Sequence, residues 1–341
     1  MWGDRASDVL MSSAPRLLIP TGMKPGAVRD SRIDAPVRRL SGATMGTGWS
    51  LAFAAPESVG NAGVMAALEE TFALVIRQMS GWEPHSDLCR FNRAGEGWHD
   101  LQPEFFHVLA RGLEIAEATG GAFDPALADR IDALGFGPGA DVPVPGAGEG
   151  RRLQAWRAVK LDAKAQRAFQ PGGVALDLSS IAKGYAVDLC AARLGELGVP
   201  SFLMEIGGEF VGRGVKPDAQ PWWIALELSD EASAPGEATA TDVALVNLAV
   251  ATSGDFVRQR NGVSHLLDGR TGTAPDGAVS GVAVMHAQCM EADAWATALF
   301  ALGAEDGMAM AEQQGLAAVF AVRTPEGARM RLSSAANAMA E

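Results

Sequence analysis

The sequence predicts an α+β fold, with helices and strands building two lobes that share a cleft. Three observations predict it. Several segments carry apolar residues at helical spacing, several short apolar runs are bounded by Gly or Pro, and the two kinds lack the regular βαβ alternation of a parallel sheet. At 341 residues the chain exceeds one average domain and suits one large domain or two fused lobes. No internal repeat is clear enough to make the lobes copies of each other.

Residues 1–39 mix aspartates and arginines without periodicity and read as a loosely ordered N-terminal arm. The main domain covers 40–335. A strand starts near Leu40 and resumes after Gly46 through 49–53. In 61–79, Val64, Leu68, Phe72, Val75 and Met79 recur at helical spacing and predict an amphipathic helix. A second helix spans 103–119, opened by Pro103 and closed by Gly120 and Gly121. The stretch 136–150 is rich in Gly and Pro and marks a loop or a boundary between lobes. Short strands follow at 159–161 and 168–170, then a helix over 181–197, stopped by Gly198 and Pro200. Strands are expected at 202–206, 222–228, 245–252, 282–285 and 316–322, with a connection over 229–241 and a helix over 290–302 ended by Gly303.

Hydrophobic residues make up 48% and charged residues 20%, enough to bury a core. The net charge of −13 argues against nucleic acid or an anionic membrane as partner. The three cysteines, Cys89, Cys190 and Cys289, are scattered with no CxxC, so neither a disulfide framework nor a zinc site is indicated. No run of about 18 apolar residues predicts a transmembrane helix. Neither a signal peptide nor a lipobox cysteine is visible, and the expected location is the cytoplasm.

Chemistry concentrates in three clusters. The densest runs from Asp177 to Asp188, through Ser179, Ser180, Lys183 and Gly184, at a strand-to-helix turn. A helix N-terminus with a lysine suits phosphate. The same residues also serve as helix caps, with Asp177, Ser179 or Ser180 in that role. The second cluster pairs Asp293 with Thr297, four apart on one helix face, a hard-oxygen pair suited to Mg²⁺. Glu291 is an alternative ligand that points elsewhere on the helix. The third places His265 beside Ser264, ahead of Asp268, Gly269, Arg270 and Gly272. His265 has the chemistry to accept a proton from an incoming hydroxyl, and it also fits a packed or surface histidine. No Gly-x-Ser-x-Gly elbow accompanies it, which disfavours a serine hydrolase. A fragment of a dinucleotide fingerprint, Gly212, Arg213 and Gly214, lacks its third glycine and its helix.

Further motifs are Thr44-Met45-Gly46-Thr47, the segment from Ser80 and Trp82 to Ser86 and Asn92, Gly121-Ala122-Phe123-Asp124-Pro125, Gly207-Gly208-Glu209 and Thr252-Ser253-Gly254-Asp255. Each alone is ordinary turn chemistry. In order, from about Gly42 to Gly303, the whole set resembles the ApbE family, the FAD:protein FMN transferases, and as an ordered set it is highly specific. The resemblance implies a T-fold-like architecture with FAD in the cleft between lobes. It implies that Met45, Trp82, Ala122, Phe123, Asp124, Asp177, Lys183 and Leu267 contact FAD. It gives Asp293, Thr297 and the backbone carbonyl of Ser180 as Mg²⁺ ligands, and His265 as the base. The activity implied is Mg²⁺-dependent transfer of FMN from FAD to a Thr or Ser hydroxyl of an acceptor redox protein, with release of AMP. Hydrolysis of FAD to FMN and AMP, or FAD binding without turnover, are the alternatives.

Three features depart from the family pattern. Members are commonly exported lipoproteins, and no export signal is visible here. Gly269, not proline, follows Asp268. Glu205 and Ile206 precede Gly207, where a small polar residue is frequent. None removes a ligand that the resemblance implies.

Overall fold

The computed structural model describes residues 16–22, 33–138, 153–230, 234, 240–256, 259–260 and 263–340. Sixteen strands are described: β1 (Arg16–Leu18), β2 (Arg38–Thr44), β3 (Thr47–Ala54), β4 (Gly97–Asp100), β5 (Lys160–Asp162), β6 (Arg167–Gln170), β7 (Ser201–Ile206), β8 (Glu209–Arg213), β9 (Trp222–Ala225), β10 (Thr241–Leu245), β11 (Leu248–Gly254), β12 (Gln259–Arg260), β13 (Val263–Ser264), β14 (Val279–His286), β15 (Ala317–Thr324) and β16 (Gly327–Leu332). The helices are α1 (Asn61–Met79), α2 (Asp87–Arg93), α3 (Pro103–Ala118), α4 (Ala128–Ala133), α5 (Ala182–Glu196), α6 (Cys289–Leu302), α7 (Ala304–Gln314) and α8 (Ser334–Asn337).

The fold is α+β. An eight-stranded antiparallel sheet, in the order β16-β15-β14-β11-β8-β7-β3-β2, forms its spine. The sheet has two halves, joined where β8 pairs with β11. Each half runs strand, strand, helices, strand, strand: β2-β3, then α1 and α5, then β7-β8; and β11-β14, then α6 and α7, then β15-β16. The first half carries an insertion between α1 and α5 that holds α2, α3, α4 and the small sheet β4-β6-β5.

Side-chain alternation explains the layers. On β11, Ala249 and Ala251 face the helices while Val250 faces away; on β15, Ala318 and Phe320 face the helices while Val319 and Ala321 face away. The helix side is packed by α1, α5 and α6. The other side is covered by the sheet β1-β10-β9 through Leu18, Trp222, Ile224, Val243 and Leu245. Strands buried on both faces read as continuous apolar runs, as the buried stretch of β14 does.

The stripe predicted on α1 is the buried one, with Val64, Leu68, Phe72, Val75 and Met79 all in the core. Helix α6 differs: every residue from Cys289 to Ala301 is buried, so it forms the centre of the molecule. Each fully buried Leu or Phe of this helix contributes roughly 1.5–3 kcal/mol relative to exposure.

Within the segment read as an arm, Arg16–Leu18 is built into a sheet: β1 pairs in parallel with β10, and Leu18 is fully buried. The rest of that segment up to residue 15, and 23–32, lie outside the described residues, as do 139–150 of the stretch read as a loop or lobe boundary and the two residues after it. The strand expected over 245–252 is two strands, because Asn247 adopts a left-handed turn (φ 54°) between β10 and β11. No helix among the described residues is long and apolar enough to cross a membrane.

Candidate active site

The site forms where α5 and α6 cross beneath β8 and β11. On β8, Glu209 lies two residues before core residue Val211 and therefore points to the helix side. On β11, Ser253 follows Ala249 and Ala251 on the same side, and the pairing of Ala249 with Val211 brings the two strands together there. Helix α6 supplies Asp293 and Thr297, one turn apart, and the start of α5 supplies Lys183 and Gly184.

These groups are joined. Lys183 Nζ forms an ion pair with Glu209 Oε1. The Gly184 amide donates to Asp293 Oδ2 at 2.9 Å. The Thr297 and Ser253 hydroxyls share a hydrogen bond of 3.0 Å. Glu209 is 2% exposed and Asp293 3%, so the two acids are buried, with the half-buried Lys183 beside them. Burial pushes the Asp293 carboxyl up, against the Lys183 charge and the Gly184 amide. Burial likewise pushes the Glu209 carboxyl up, opposed by Lys183 and reinforced by Asp293. Burial alone would lower the Lys183 ammonium, but Glu209 and Asp293 raise it. One ammonium faces two carboxyl groups, and Glu209 Oε2 has no hydrogen-bond partner.

This donor set fits a hard divalent cation. It offers carboxyl and hydroxyl oxygens, two acids beside one ammonium and an unsatisfied buried oxygen. Among the described residues no group of three or more His, Cys, Asp or Glu side chains forms a ready-made metal cage. Mg²⁺ does not need one, since it is commonly held by one or two carboxylates with waters and substrate phosphates. Glu291 is not available for the role, because Arg111 Nε and Nη2 take both its oxygens, at 2.6 and 2.8 Å.

A second network adjoins the first through the segment that leads into α5. The Asp177 amide donates to the Pro125 carbonyl (2.8 Å), and Asp177 accepts from both the amide and the hydroxyl of Ser179, each at 2.9 Å. Asp177 thereby shapes the turn that presents Ser180 and Lys183. The turn of Ala122, Phe123 and Asp124 is welded to the loop after His265: the Gly269 amide donates to the Ala122 carbonyl at 3.0 Å, and a Cβ on Gly269 would run into Asp124. Gln154 spans both, donating to the carbonyls of Gly121 (3.1 Å) and Gly269 (3.2 Å). Burial raises the Asp124 carboxyl to about 6, against the amides of Ala126 and Gln154 and the charge of Arg157. Leu267 is buried within this loop, and the His265 ring packs 6.0 Å from Phe136. Asp268 is held by Arg270 at 2.8 Å, so the acid after His265 fixes the turn.

Met45 sits at the tip of the β2–β3 hairpin in a left-handed conformation (φ 50°). The next residue but one, Thr47, abuts Gly207, two residues before Glu209. Trp82 stands 64% exposed on the turn between α1 and α2, its indole open to stacking. Sequence reasoning did not single out Glu209, Ser253 or Gln154 as site residues. For Glu209 a signal existed in the acid that follows Gly207 and Gly208; for the others only the folded pairing reveals the role.

The ApbE family model matches residues 45–320. A FAD:protein FMN transferase of Haemophilus influenzae is 31% identical over 325 residues, covering 90% of this chain and 93% of that protein. One of Vibrio cholerae is 30% identical over 307 residues, covering 86% and 90%. Among solved structures, the apo flavinyl transferase ApbE of Pseudomonas stutzeri superposes with a TM-score of 0.78 at 32% identity, covering 88% of this chain and 96% of that one.

Proposed function

The chain belongs to the ApbE family, and from that premise we propose that it cleaves FAD at the diphosphate, moves FMN onto a Thr or Ser hydroxyl of an acceptor redox protein and releases AMP. The observation that carries this reading is the cluster of Asp293, Thr297, Lys183 and Glu209, an oxygen-rich site with two acids beside one ammonium, suited to a divalent cation and a diphosphate.

In this reading Met45 and Trp82 hold the ends of FAD with Ala122, Phe123 and Asp124, while Asp177 and Leu267 add contacts beside them. Lys183 offers its ammonium to a diphosphate oxygen, a local cation in a chain of net charge −13. The Asp293 carboxylate, the Thr297 hydroxyl and the Ser180 carbonyl would hold Mg²⁺. When bound, Mg²⁺ supplies charge stabilisation to the diphosphate oxygens. A ring nitrogen of His265 takes the proton of the acceptor hydroxyl. The hydroxyl oxygen then bonds to the FMN-side phosphorus as that phosphorus loses its bridging bond to the AMP phosphate, and AMP leaves with the electron pair. Catalysis of this kind is mostly positioning and charge stabilisation.

Incubation with FAD, Mg²⁺ and a candidate acceptor tests the reading. Flavin fluorescence that stays with the acceptor through denaturing electrophoresis, with one AMP per label, is the expected result. AMP and free FMN without label would make the enzyme an FAD pyrophosphatase. Intact bound FAD with no AMP would make it a binding protein.

A further inference from the structure

We infer that Asp188 is a positioning residue: it sets the place of Asp293 by capping α6 from a neighbouring helix. The inference rests on Asp293 being a metal ligand.

The first turn of an α-helix leaves amides without partners, and a side chain just before the helix usually meets them. Helix α6 lacks that device, since its N-cap residue Gln288 makes no side-chain cap. Its first amides are met instead from α5. Asp188 Oδ1 accepts from the Cys289 amide at 2.8 Å, and Oδ2 from the Met290 amide at 2.9 Å. The carboxylate also lies at the positive end of the α6 dipole. Arg213 supports the same junction, donating to the Ala287 carbonyl at 3.4 Å.

Asp188 is one turn beyond Gly184 on α5, and Asp293 is one turn beyond Cys289 on α6, so each pair shares a helix face. The two faces are fastened at both ends. Asp188 grips the start of α6, and the Gly184 amide grips Asp293. Between them the backbones touch: a Cβ on Gly184 would collide with the Cys289 carbonyl and lie 2.8 Å from Asp293 Cβ. A cap within α6 would satisfy the same amides without adding a tie between the start of α6 and α5. The cap from Asp188 adds that tie at the helix start, one turn before Asp293, and so helps to fix where the Asp293 and Thr297 oxygens stand. Interactions that orient metal ligands in this way typically govern metal affinity by about 10–100-fold.

The test separates capping from positioning. Mn²⁺ is titrated into the full-length protein in the presence of FAD, free Mn²⁺ is read by electron paramagnetic resonance, and thermal stability is measured alongside. The variants are Asp293→Asn, Asp188→Asn and the double variant Asp188→Asn with Gln288→Ser, in which the introduced hydroxyl gives α6 a local cap. Asp188→Asn is expected to weaken Mn²⁺ binding about 10–100-fold. The double variant is expected to regain thermal stability while its Mn²⁺ affinity stays weakened, and it carries the comparison if the single variant does not fold. Full Mn²⁺ affinity in Asp188→Asn, or recovery of both properties in the double variant, would reduce Asp188 to a structural cap and overturn the inference. Wild-type Mn²⁺ binding in Asp293→Asn would instead remove the metal reading itself, and this inference with it.

Discussion

Gly184 and Asp293 meet backbone to carboxylate across the crossing of α5 and α6, the glycine amide donating to Asp293 Oδ2 at 2.9 Å. The contact joins helices that belong to different halves of the fold, and it exists only because residue 184 has no side chain. A single glycine thus serves both the packing of the two halves and the orientation of the Asp293 carboxylate.

Replacing Gly184 with alanine sets two effects against each other. Alanine favours a helix by about 1 kcal/mol over glycine. Here its Cβ would meet the Cys289 backbone carbonyl, which no rotamer change can move. Overpacking of this kind typically costs about 1–3 kcal/mol and shifts the backbone, so the variant is expected to be less stable and to need more Mg²⁺. Gly195 on the same helix faces open space, and Gly195→Ala is expected to gain about 0.5–1 kcal/mol without altering the Mg²⁺ requirement. Urea denaturation and Mg²⁺ titration of the two variants check the contrast.

Asp293→Ala is expected to keep its fold and lose metal-dependent transfer. Removing a buried carboxylate relieves a desolvation cost, which offsets the orphaned Gly184 amide. The expected loss of rate is on the order of 10²-fold or more, about 3 kcal/mol of transition-state stabilisation. Rates measured with EDTA and then with graded Mg²⁺ should coincide in this variant. A full metal response would exclude Asp293 as a ligand.

His265→Ala is expected to bind FAD as the wild type does and to lose transfer. A positioned general base contributes typically about 10²–10⁴-fold, which sets the expected loss. Flavin fluorescence titration reports binding, and labelled acceptor reports transfer. Unchanged labelling would leave His265 as a packing partner of Phe136.

How much of this was readable depends on where each signal resides. The α1 stripe was legible because one face is buried and the other wet. Helix α7 was not: Gly303, read as the end of α6, is also the N-cap of the next helix, and the two run almost without a break. Strand β16 was hidden by Arg329 and Arg331 in a short edge strand. In the site, Asp293 and Thr297 were legible because their spacing is local. Glu209 and Ser253 were not, since each meets its partner, Lys183 or Thr297, only through the packing of a helix on a strand distant in sequence.

Glu291 offers a control for the metal assignment. Arg111 occupies both its oxygens, and the pair ties α3 to α6 in a partly buried setting. Glu291→Gln should therefore leave the Mg²⁺ midpoint unchanged while lowering stability by about 1–3 kcal/mol, as expected for a weakened, partly buried charged bond. A tenfold shift in the Mg²⁺ midpoint would return Glu291 to the metal's surroundings.

Asp124 should make stability depend on pH in an unusual sense. Burial raises its folded value to about 6 from the ordinary 3.8, so between those values the folded chain holds more of this proton than the unfolded chain does. Stability from this group is therefore greatest below about pH 4, falls as pH rises towards about 6, and levels off above that. At about 1.4 kcal/mol per unit, the fall can reach roughly 3 kcal/mol and is smaller where water screens the carboxylate. Asn in its place still accepts from the Ala126 amide, now 2.7 Å away, and never ionises. Asp124→Asn should thus gain stability relative to wild type between about pH 4 and about pH 7, by on the order of 1–3 kcal/mol. Urea denaturation of both proteins at the two pH values measures the difference, and a relative stability that stays flat or moves the other way would mean that Asp124 ionises at or below its ordinary value in the folded chain.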